Sequence, residues 1–209
     1  MKRILPLALA AVLFAGGCAN ELYSDLHYYM KEKQLPPPTS ESFPHCEGYG
    51  CPSNKLVELN KSDWEKIESA FGAKAKNPLE EREKIARTIG RFEQIVGPIT
   101  GTDTDQRGTF VKMGEGQLDC VDESTNTTIY LMLLKQKGLM SFHEIEQPQV
   151  RWPIISGRGW MHQTAVITEK TTGTQYAVDS WFEDNGANAW VVPLEDWRNG
   201  WHPDQLKDQ

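Results

Sequence analysis

The chain has 209 residues, of which 39% are hydrophobic, 24% charged and 10% aromatic. Such a balance excludes a collagen, a long coiled coil and a wholly disordered chain, which needs low apolar content. With 22 Lys and Arg against 29 Asp and Glu, the formal charge is −7, so no basic surface is expected to follow a phosphate backbone and nucleic acid is not an expected partner. The length suits one domain of ordinary size.

Lys2 and Arg3 precede an apolar run from Ile4 to Phe14, which ends in Ala15, Gly16, Gly17 and Cys18. A charged start, a short apolar middle and small residues at the end describe a secretory signal peptide over residues 1–17. The run falls short of the roughly 20 residues that a helix needs to cross a bilayer. Small residues abutting Cys18 resemble a bacterial lipobox, with Ala15 where Leu is usual. The resemblance implies cleavage before Cys18, acylation of its thiol and attachment at a membrane surface without spanning it. Ala19 in place of Asp implies the periplasmic face of the outer membrane. Loss of Lys2 and Arg3 takes the formal charge from −7 to −9.

Residues 18–55 are polar and turn-rich, with Pro36, Pro37 and Pro38 reading as an extended spacer; a short helix over Leu22 to Met30 interrupts a lipid-anchored tether. Within it, Cys46 and Cys51 flank a loop containing Gly48 and Gly50. The glycines let the chain turn tightly enough for a disulfide, which an oxidising compartment preserves. A metal site using His45 is the alternative, but no second Cys/His cluster of the usual spacing accompanies it. With Cys18 acylated, Cys120 remains as an odd thiol.

The domain proper is expected over residues 56–209. Ser62 and Asp63 cap a helix to Phe71. Pro78, with Glu80, Glu81 and Glu83 behind it, starts a second helix; Ile85, Ile89, Phe92 and Val96 recur at helical spacing, and Gly97-Pro98 is expected to end it. Residues 99–117 read as loop, with a short strand at Phe110-Val111. Asp119 to Lys137 forms a third helix, apolar on every side from Ile129 to Leu134 and therefore buried. Strands follow over Val150–Ile155, Met161–Thr168, Gln175–Phe182 and Ala189–Val192. Helices first and strands after indicate an α+β fold.

Asp119 as N-cap places Cys120 in the first turn, beside unpaired N–H groups that favour a thiolate and a developing oxyanion. Asp119, Asp122 and Glu123 oppose the anion, so a cationic partner is needed. His162 opens one strand and Asp179 sits on the next, where it would fix the imidazole's tautomer. The two share a face only if paired residue numbers sum to an odd value. A four-residue loop from Lys170 to Gly173 gives 343 and brings them together, whereas a three-residue loop gives 344 and separates them. Taken singly, Cys120 reads as a buried inert thiol, His162 as a structural histidine and Asp179 as a strand-end carboxylate. His27, His45, His143 and His202 are placed in loops or the tether. Trp152, Trp160, Trp181 and Trp190 are either core or the walls of a cleft for an extended peptide.

Asp119-Cys120-Val121-Asp122-Glu123 at a helix start, followed by a strand His and a next-strand Asp, resembles the bacterial transglutaminase-like cysteine proteinases over residues 110–185. The resemblance implies a papain/transglutaminase-like α+β core in which the Cys-bearing helix packs on an antiparallel sheet. It makes Cys120 the nucleophile, His162 the general base and acid, and Asp179 the orienting carboxylate; Gln117 is an oxyanion candidate by proximity in sequence. Val121 replaces an acidic residue that some members use for calcium, so neither metal nor cofactor is expected. The implied activity is peptide-bond hydrolysis on peptide or protein substrates in the cell envelope. Murein peptide hydrolysis, protein cross-linking and a non-catalytic binding role remain open.

Overall fold

The computed structural model describes residues 26–109, 114–152 and 161–203. The signal segment, Cys18, the Phe110-Val111 strand, Trp160 and the end of the expected 150–155 strand lie outside the described residues. Among the described residues, no helix is long and apolar enough to cross a membrane.

Periodic burial explains each helix. In α1 (Lys61–Phe71), Trp64, Ile67 and Phe71 form the buried stripe. Asn60, rather than Ser62 or Asp63, caps it by accepting from the Asp63 N–H at 3.1 Å. In α2 (Pro78–Thr100), Ile85, Ile89, Phe92 and Val96 are sealed as the spacing predicts. The helix does not stop at Gly97-Pro98 but runs one turn further, to Gly101 in the left-handed region. Proline removes only the bond to the fourth residue before it, and the bond from Gly101 N–H to Gly97 C=O is intact at 2.7 Å. Gly97 serves close packing instead, since a Cβ there would lie 2.9 Å from the Asp103 Cα. The third helix, α3 (Cys120–Gln136), is buried along almost its whole length, polar first half included.

The β-structure forms two antiparallel sheets, so the architecture is mixed α+β. β1 (Phe43–Glu47) and β2 (Ser53–Val57) make a hairpin. β3 (His143–Arg151), β4 (His162–Glu169), β5 (Gln175–Asp179) and β6 (Trp190–Pro193) make a sheet in sequential order. A short helix, α4 (Leu194–Arg198), follows. β3 begins well before the expected strand; Pro148 and the charged residues masked it. Proline is tolerated there because β3 is an edge strand, with a register shift between Glu146 and Gln149.

Both faces of the main sheet are covered. Ala165, Ile167 and Val178 join the core formed with α1, α2 and α3. Val166 and Ala177, pointing the other way, pack under Leu194 and Trp197 of α4. Double-sided burial accounts for the unbroken apolar run in β4. The segment expected to be a tether departs from that reading: Met30, Leu35, Phe43 and Cys46 belong to the main core. His45 lies in β1 and His143 opens β3, both buried, rather than in tether and loop.

Candidate functional site

β4 and β5 pair in the register that sums to 343, as in Ala165 with Val178 and Ile167 with Tyr176. The turn is the four-residue one, closed by Glu169 N–H to Thr174 C=O at 2.8 Å and Gly173 N–H to Glu169 C=O at 2.8 Å. Alternation then points His162 and Asp179 to the face that α4 covers. Their side chains meet there, His162 Nε2 lying 2.8 Å from Asp179 Oδ2. The same carboxylate oxygen accepts from Trp197 Nε1–H at 2.7 Å. A carboxylate accepts, so this partner assigns the proton to Nε2 and the lone pair to Nδ1. Nδ1 is buried and has no hydrogen-bond partner among the described residues.

Cys120 is the first residue of α3. Asp119 caps the helix by accepting from the Val121 and Asp122 N–H groups at 3.0 and 2.9 Å, and Asp122 completes the capping box. The Cys120 sulfur lies 4.0 Å from the Met161 carbonyl oxygen and beside the Gln163 N–H, the two backbone groups on either side of His162. Cys120 packs with Trp181 and Phe182, and the His162 ring sits 4.5 and 5.0 Å from those rings. The thiol and the imidazole therefore share one aromatic wall. Cys120 is 3% exposed, His162 1% and Asp179 2%. Burial pushes the thiol up to about 12, and Asp119 and Asp179 push the same way, while the Gln163 N–H favours the anion.

The other predicted residues divide. Cys46 and Cys51 are joined in a disulfide. Its loop rests on α3: Asp122 accepts from Tyr49 N–H at 2.8 Å and from Cys51 N–H at 2.7 Å. Gln117 is not brought to the thiol; its carboxamide donates to Thr104 C=O and accepts from Gln106 N–H, in loop 104–109. Trp181 lines the site, Trp190 is exposed but lies opposite Asp179 in the β5–β6 register, and Trp152 is exposed. Sequence reasoning missed Trp197 and Arg151, since nothing local marks a short helix or an edge-strand cation as a partner of residues far away in the chain.

Comparison with known protein families, curated proteins and solved structures finds no match to this chain.

Proposed function

We propose that this protein is an envelope lipoprotein carrying a transglutaminase-like Cys-His-Asp site on a papain-like core, and that it hydrolyses peptide bonds in peptide or protein substrates. One observation carries the reading: a buried His–Asp pair leaves its second imidazole nitrogen unpartnered, on a wall shared with the free thiol at a helix N-terminus. His162 Nδ1 takes the Cys120 proton as the sulfur adds to the substrate carbonyl carbon. The Cys120 N–H, which the Asp119 cap does not take, stabilises the oxyanion. The carbon–nitrogen bond then breaks, His162 protonates the leaving amine, and water added through His162 resolves the thioester to an acid. An amine in place of water would give a cross-link. Murein peptides suit the expected location equally as substrates.

A non-catalytic binding lipoprotein is the second reading, favoured by the burial of Cys120. Iodoacetamide labelling of the chain at pH 7, mapped to Cys120 by mass spectrometry, separates the two. The enzyme reading expects labelling that falls by about 100-fold in His162→Ala, the scale of general-base assistance. A thiol inert in both proteins sinks it. Release of peptides from a mixed substrate pool, lost in Cys120→Ala, would then identify what is cleaved.

A further inference from the structure

We infer that Arg151 is the positioning residue that supplies the positive charge of this site, holding the Cys120–His162 pair able to exist as thiolate and imidazolium. The inference rests on Cys120, His162 and Asp179 being the reacting groups.

The placement comes from the sheet. Arg151 ends β3 directly opposite His162 in the β3–β4 register, so both side chains rise on the face covered by α4. Its guanidinium carbon lies 4.7 Å over the Trp197 ring and 5.8 Å from the centre of the Phe182 ring. Trp197 is the ring that donates to Asp179, and Phe182 is packed on Cys120. The cation therefore stands between the carboxylate side of the site and the thiol side. It is fixed by two hydrogen bonds from one guanidinium nitrogen, to Trp197 C=O at 2.6 Å and Trp201 C=O at 2.7 Å. Burial disfavours its charge, while Asp179 and Cys120 both sustain it.

Charge balance supplies the reason. The charged groups that act on the sulfur are Asp119 from α3, Asp179 from β5 and Arg151 from β3, and His162 from β4 shares its aromatic wall. A thiolate, an imidazolium and the Asp179 carboxylate together carry one net negative charge, in a place with little water. Buried charge is tolerated when it is balanced; Arg151 offsets that charge, while the Asp119 carboxylate is held separately by the Val121 and Asp122 N–H groups. Geometry adds a second effect: by gripping the end of α4, the guanidinium holds Trp197 against Asp179 and so fixes the carboxylate that orients His162.

The test is the pH profile of Cys120 labelling by iodoacetamide in the wild type, Arg151→Gln, Arg151→Met and Arg151→Lys, with thermal melts showing which variants fold. Loss of the cation disfavours the thiolate, so either neutral variant should shift the profile upward by about one pH unit and slow labelling at pH 7 about tenfold. Arg151→Lys keeps the charge without the fork and should restore most of the rate. A neutral variant that folds and superimposes on the wild type overturns the inference, as does a Lys variant no faster than the neutral ones. A wild-type thiol that labels no faster than in His162→Ala overturns the active-site reading itself, and this inference with it.

Discussion

Among the described residues, two histidines hold a buried carboxylate, and the difference between them is what makes one a candidate for chemistry. His143 Nδ1 lies 2.9 Å from Glu81 Oε1, and its Nε2 lies 3.3 Å from an Arg82 nitrogen. Glu81 also accepts from the N–H groups of Ser141, Phe142 and His143. Burial raises the Glu81 carboxyl, but the His143 side chain and those N–H groups outweigh it and hold it below the usual range. Every polar atom of that imidazole is occupied, so it ties α2 to β3 and has no capacity for a substrate proton. His162 keeps Nδ1 unoccupied. Replacing His143 by Ala should cost about 3 kcal/mol, the scale of a broken buried pair, seen as a lower urea midpoint. Cys120 labelling in the folded variant should not change.

At the scale of elements, the start of α3 is held from two sides, by its own capping box and by the disulfide loop. Residues 48–51 all have positive φ, including the non-glycines Tyr49 and Cys51, and the Asp122 carboxylate sits under the N–H groups that this conformation turns inward. Asn126 repeats the grip, accepting from Cys46 N–H at 2.6 Å and donating to Cys46 C=O at 3.0 Å. The loop is thus a clamp on the helix that presents Cys120. Asp122→Ala strands one buried and one half-buried donor and should destabilise the protein by about 2–3 kcal/mol. Reduction of the Cys46–Cys51 bond should cost less, about 2 kcal/mol on loop-entropy grounds. Denaturant titrations of the two species would establish that order; a larger loss on reduction than in Asp122→Ala would contradict the clamp.

Across the whole molecule, stability should depend on pH through groups other than Cys120, His162 and Asp179. Burial pushes Glu93 up to about 8 and raises its neighbours Glu123 and Asp105 in the same direction. Ser180, next to Asp179, donates to Glu123 at 2.5 Å, so this cluster joins α2 and α3 to the end of β5. A carboxyl whose folded value is raised binds its proton more tightly in the native state, so stability falls as pH rises between the unfolded value and the folded one. For Glu93 that window runs from 4.5 to about 8. Buried His45, lowered to about 3 by burial and then by Lys55, acts in the opposite sense: its cost grows as pH falls below 6.5. The midpoint of thermal unfolding should therefore be highest near pH 5–6 and decline toward pH 8. Glu93→Gln should flatten the decline and raise the midpoint at pH 8 by about 5 °C, the scale of one to two kcal/mol in a chain of this size. A flat wild-type profile from pH 5 to 8 would contradict the assignment.

Local periodicity by itself determined much of this protein. Ile85, Ile89, Phe92 and Val96 marked the inner face of α2; Asp119 marked the start of α3; and the strand period tied the facing of His162 and Asp179 to a loop of four residues or three, a choice that only the structure decided. These features depend on a few neighbouring residues and on the fixed repeat of helix and strand. Residues 43–55 read as tether because their core residues are interleaved with polar ones and prolines, and their burial is decided by α3, about 80 residues further on. Likewise, only the tertiary structure decided that one imidazole is saturated and another is not, that Cys120 is enclosed by Trp181 and Phe182, and that Arg151 faces the same site. Those outcomes arise where separate elements pack together, and no local pattern carries the sum of contacts that sets them.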